Sequence, residues 1–178
     1  MALNQEQRIV RNGISVSLLV TLGLGYLFYF VARWTLPHGQ DLTQKWFFTL
    51  KWLIWPVFTL WIGILVCAAQ RFFSKSIDPI LDFKSQSLKV NCQYVENTTQ
   101  QLLLLFFSVI LIATYLPNRQ LALIPTICLI FTIGRITFWV GYHFRASYRA
   151  FGMFMTELAT IAPMMYLTGR VLIVNFIR

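Results

Sequence analysis

Leu121 to Tyr142 reads LALIPTICLIFTIGRITFWVGY. A run of about 20 predominantly apolar residues is what one helix needs to cross a bilayer. The single charge in the run is Arg135. An arginine at the centre of a span costs at least roughly 2.5–3.5 kcal/mol to insert, and it faces protein or a water-filled cavity. The stretch therefore predicts a membrane span and a polar surrounding for Arg135.

Four more runs of this kind lie to either side. The first covers Ile14 to Ala32, and the second Trp46 to Ala69, interrupted by Lys51 and Pro56. The third starts polar near Lys89 and turns strongly apolar from Leu102 to Leu116. The last covers Phe151 to Phe176, with Pro163 as an expected kink. The runs are continuous rather than alternating, so helices are the spanning form. Turn residues separate them: Leu36-Pro37-His38-Gly39, Ser76-Ile77-Asp78-Pro79 and Pro117-Asn118. The reading is an all-α integral membrane protein with five transmembrane helices. Ile14 to Ala32 is too long for a typical signal-peptide core and lacks a clear cleavage site, so it reads as a retained first span.

Only 12% of the chain is charged, against about 25% in soluble domains, which leaves little room for a soluble domain. The net charge of +9 comes from basic residues scattered over short loops. That pattern fits orientation and lipid headgroups rather than nucleic acid. Arg8, Arg11, Arg71, Lys75, Lys84, Lys89, Arg145 and Arg149 fall on one side; Arg33, Lys45, Arg119 and Arg178 fall on the other. Eight against four puts the N-terminus in the cytosol and the C-terminus in the lumen or outside.

The three cysteines have no metal or CxxC spacing. Cys67 and Cys128 lie in apolar runs and read as small hydrophobes; Cys92 lies nearer a span end. His143 has no clustered ligand, so no metal site is expected. The sequon Asn97-Thr98-Thr99 lies inside a predicted helix on the cytosolic side, where it is not a glycosylation site. Lys51 is read as snorkelling from the second span.

Gln93, Asn97, Gln100 and Gln101 recur at spacings of three and four, on one helical face. At 1.5 Å per residue, Asn97 is roughly 12 Å in from Lys89, Arg135 roughly 15 Å in from Arg145, and Glu157 roughly 12 Å in from Arg149. Arg135 and Tyr142 share a face. Asn97, Arg135, Tyr142, Arg149 and Glu157 thus reach the same cytosolic half, forming a predicted pocket suited to an anionic ligand. Plainer roles stand beside this one. Arg135 pairs with Glu157, the amides of Asn97, Gln100 and Gln101 are interhelical glue, Tyr142 belongs to an aromatic belt, and Arg149 is an orientation signal.

Asn97-Thr98-Thr99-Gln100-Gln101-Leu102, Gly134-Arg135 followed by Gly141-Tyr142, and Arg149 together resemble the MAPEG family, the membrane-associated proteins of eicosanoid and glutathione metabolism. The segment IGRITFWVGYHFRASYRAFG and the extra first span look most like its mattrin branch. The resemblance covers about residues 46–178, a four-helix domain, with 1–45 as an added N-terminus, helix and loop. It implies a homotrimer in the endoplasmic reticulum or Golgi membrane, with glutathione as cofactor bound between subunits. Asn97, Arg135, Tyr142, Gln93 and Gln100 would then bind glutathione, and Arg149 would be catalytic. A thiol of pKa about 8.5 falls to roughly 3.5–7.5 beside an arginine or a helix N-terminus. The sequence departs from the family at three positions: Gln100 stands for Glu, Gln93 for Arg and Phe138 for Tyr.

Two functions follow. One is a glutathione-dependent transferase or peroxidase acting on a lipophilic electrophile. The other is a non-catalytic membrane regulator that keeps the fold and binds a protein or lipid partner. Retention of Arg135, Tyr142 and Arg149 favours the first; loss of charge at Gln93 and Gln100 favours the second.

Overall fold

Residues 4–37, 41–73 and 85–176 are described by the computed structural model, with side chains through Ile173. The predicted turn at Ser76 to Pro79, the His38-Gly39 step, and Lys75, Lys84 and Arg178 lie outside the described residues. The described chain contains no strand. It forms α1 (Gln5–Ala32), α2 (Leu42–Phe72), α3 (Gln86–Tyr115), α4 (Leu123–Phe144) and α5 (Arg149–Phe176). All five are long and apolar enough to cross a membrane. This is an all-α, multi-pass membrane protein.

The helices outrun the apolar stretches that predict them. Helix α1 begins nine residues before Ile14, where the backbone N–H of Asn4 donates to Gln7 Oε1 at 2.9 Å. That contact ties down one of the donors a helix start leaves open. Helix α2 likewise begins at Leu42 rather than Trp46. Hydropathy marks only the part of a helix inside hydrocarbon, whereas backbone hydrogen bonding carries the helix on into the polar flanks. Both Pro56 and Pro163 sit inside helices that continue past them. Between α3 and α4 a short 3-10 turn, Asn118–Gln120, follows Pro117.

Helix α4 is the centre of the packing, with 61% of its most apolar stretch buried, against 11% for α1. Helices α2 to α5 form a bundle around Leu105, Val109, Ile112, Ile124, Cys128, Phe131 and Met155. Helix α1 lies outside it, against α4 and α5. There Ser17 donates to the backbone carbonyl of Phe151 at 2.8 Å, and at the basic end Glu6 pairs with Arg145. At the opposite end Lys45 of α2 donates to the carbonyl of Leu116 at 2.8 Å. That carbonyl follows the last turn of α3, where a cation complements the helix dipole.

Two glycines decide how closely α4 and α5 approach. A Cβ on Gly152 would meet the backbone of Phe138 and Gly134, with Phe138 Cα at 2.7 Å. One on Gly134 would lie 2.7 Å from the Thr156 methyl. Small residues at such crossings let helix backbones come together within a membrane. This crossing brings α5 directly against the turn that carries Arg135.

Candidate functional site: a buried arginine and its polar neighbours

Arg135 is completely buried. One terminal nitrogen donates to Asn97 Oδ1 of α3 at 2.6 Å, and the other donates to Thr156 Oγ1 of α5. The Thr156 hydroxyl in turn donates to the Met153 carbonyl at 2.8 Å. Phe138 and Phe131 lie against the guanidinium, with ring centroids 4.8 and 5.5 Å from its carbon. Aromatic faces stabilise a desolvated cation. The Nε–H has no partner among the described residues.

Glu157 does not bridge to Arg135. It accepts instead from Gln101 Nε2 at 2.8 Å, and Thr160 donates to the Gln101 oxygen at 3.3 Å. The two terminal nitrogens of the arginine are thus held by an amide and a hydroxyl, and the carboxylate by an amide, in one polar layer that joins α3, α4 and α5. The physical reason is the hundred-degree step of the helix: it turns Thr156 toward Arg135 and Glu157 away, toward α3.

The other predicted residues divide between two places. Arg149 opens α5, and its guanidinium carbon lies 4.8 Å from the Tyr142 ring centroid. Both are half-buried. Tyr142 meets Phe138 edge to face at 5.8 Å, so the pair sits one helical layer outside the Arg135 cluster. Gln93 and Gln100 are exposed. The predicted polar face of α3 is therefore split: Asn97 and Gln101 turn inward, whereas Gln93 and Gln100 occupy the outward edge of the same arc. Leu104, one turn beyond Gln100, lines an open groove of about 380 Å³ between α3 and α5 with Glu157, Ile161 and Met164. No contact joins Arg149 to Arg135 directly.

The chain is similar to transmembrane protein 79. It is 25% identical to the Mus musculus and Bos taurus proteins over 130 residues, which is 73% of this chain and 33% of each relative. The chain thus spans about a third of the length of the curated relatives it matches. This similarity supports the mattrin (transmembrane protein 79) branch of the resemblance. No family model matches the chain, and no solved structure is significantly similar to it.

Sequence reasoning missed two participants. Thr156 gives no signal on its own, although Gly152 one turn earlier is the small residue that marks a close crossing. The second is a polar-aromatic seam on the other side of α3. Trp139 Nε1 donates to Asn91 Oδ1 at 2.7 Å, and Asn91 donates to Gln70 Oε1 at 2.8 Å. Tyr94 stacks on Trp139 with centroids 4.7 Å apart and donates to the Thr59 carbonyl at 3.1 Å. This seam ties α2, α3 and α4 together as the Arg135 layer ties α3, α4 and α5.

Proposed function

We propose that this chain is a non-catalytic multi-pass membrane protein that keeps a MAPEG-like bundle and acts by binding a protein or lipid partner in the bilayer. The observation that carries this reading is the complete burial of Arg135, with both terminal nitrogens taken by Asn97 and Thr156. A residue that clamps a ligand carboxylate needs those nitrogens available to the ligand. Here they link helices. The exposed apolar surface of α1, which includes Leu19, Leu22, Tyr26 and Phe30, is the added surface for a partner. The test is thermal unfolding of the detergent-solubilised protein with and without millimolar glutathione. No shift is expected. A ligand at 100 times its Kd stabilises by about 2.7 kcal/mol, and a shift of that size would overturn the proposal.

A second reading, a glutathione-dependent transferase or peroxidase, draws support from the Arg149–Tyr142 pair and from α3. Gln93, Glu96 and Gln100 are exposed within a membrane-spanning helix, where polar groups face protein or water. In a homotrimer that edge would meet a neighbouring subunit, with glutathione between them. Arg149 would then stabilise the thiolate. Arg149→Ala should abolish thiolate absorbance while preserving glutathione binding. An unchanged thiolate in that variant would reject the assignment.

A further inference from the structure

Cys67 and Cys92 look unrelated in sequence, but the pairing of α2 and α3 sets their sulfurs 3.7 Å apart. Arg71 lies one turn after Cys67 on the same face of α2, and its Nη2 is 3.4 Å from Cys92 Sγ. All three belong to the end of the bundle that carries the basic loops. A cleft of about 410 Å³ opens beside them, lined in part by Ala68, Val95 and Glu96. Cys67 is buried and Cys92 is half-buried, so Cys92 is the sulfur that a reagent in the cleft meets first. A disulfide requires sulfurs about 2.05 Å apart. The gap to be closed is roughly 1.7 Å.

We propose that Cys67 and Cys92 form a reactive dithiol that an organic hydroperoxide oxidises once per chain, without turnover, closing a disulfide between α2 and α3. The Cys92 sulfur attacks the terminal oxygen of the hydroperoxide and the O–O bond breaks. The departing alkoxide takes the thiol proton and leaves as the alcohol, and Cys92 becomes a sulfenic acid. The Cys67 sulfur then attacks the Cys92 sulfur. The S–S bond forms, the S–O bond breaks, and the hydroxide leaves with the Cys67 proton as water. Two thiols lose two electrons, and the hydroperoxide is reduced to alcohol and water. Arg71 supplies positive charge beside the reacting sulfur. The largely apolar cleft admits a lipophilic hydroperoxide from the bilayer. Nothing in this chemistry depends on glutathione or on the Arg135 layer.

The whole chain in detergent micelles is treated with cumene hydroperoxide, alkylated and mapped by peptide mass spectrometry. A Cys67–Cys92 linked peptide is expected. Cys128, which is completely buried, serves as the internal control and remains a thiol. Cys67→Ser should accumulate a dimedone-reactive sulfenic acid at Cys92, and Cys92→Ser should leave Cys67 unoxidised. Arg71→Gln should slow disulfide formation about tenfold, as expected for loss of one charge-assisted contact, and Arg71→Lys should recover most of the rate. Two unreacted thiols after peroxide, a disulfide only between different chains, or Cys128 oxidised as fast as Cys92 would overturn the proposal. A wild-type rate in Arg71→Gln would overturn the part given to Arg71.

Discussion

Removing Asn97 should harm this fold more than removing the arginine it serves. Asn97→Leu keeps a completely buried cation and withdraws its 2.6 Å acceptor. The guanidinium is left with Thr156 alone, since its Nε already lacks a partner among the described residues. Stripping a partner from a buried charge costs about 3–5 kcal/mol. Arg135→Met is different. It loses two charge-assisted hydrogen bonds, each worth about 1.5–3 kcal/mol, but it also removes a cation whose insertion costs roughly 2.5–3.5 kcal/mol. The two effects largely offset, leaving a net loss of about 0–3 kcal/mol. Thr156 keeps its bond to the Met153 carbonyl in that variant. The double variant Asn97→Leu with Arg135→Met removes the charge and its acceptor together, so it should behave like Arg135→Met alone. The coupling between the two sites then equals the Asn97→Leu loss, about 3–5 kcal/mol, with the second substitution rescuing the first. The assay is unfolding in mixed micelles by titration with dodecyl sulfate, followed by tryptophan fluorescence. Additive losses in the double variant would refute the reasoning, because they would show that Arg135 does not act through Asn97.

Three further outcomes follow from the packing and from one helix-end hydrogen bond. Gly152→Ala should cost about 1–3 kcal/mol, the usual penalty of overpacking, because its Cβ meets backbone of α4. Gly23→Ala, where nothing lies within 4 Å, should be neutral or slightly stabilising in the same unfolding assay. Lys45→Met should lose about 1.5–3 kcal/mol, the net worth of one hydrogen bond to a charged group, measured as faster hydrogen exchange at the α3 C-terminus. Unchanged exchange there would remove Lys45 from any capping role.

The spans were legible because burial in hydrocarbon demands long apolar runs and leaves no other backbone form. That Asn97, Arg135 and Glu157 lie at one level of the bundle was legible too, since the helical rise is fixed. Partner choice was not. Glu157 looked like the natural counterion for Arg135, yet Gln101 takes it and Thr156 takes the arginine. Adjacent residues on α5 face different neighbours, and only the crossing of α4 and α5 decides which neighbour is which. The α3 polar face was legible as an arc, but which edge of the arc turned inward was not.

The cysteines make the same point. Twenty-five positions separate Cys67 from Cys92, and neither has a motif. Their contact exists because α2 and α3 pack side by side with Arg71 in register.

Arg135 shows where the division falls. The sequence by itself determined that this is a five-span helical membrane protein with a cation held in one half of the bundle, because a charge left in bare hydrocarbon is so costly that it must face protein or water. The tertiary structure decided that the cation is enclosed by Asn97, Thr156 and two phenylalanines rather than left open to a ligand. That outcome rests on Gly134 and Gly152, whose missing side chains let two helices close over it, and such closeness is a property of the crossing rather than of either helix alone.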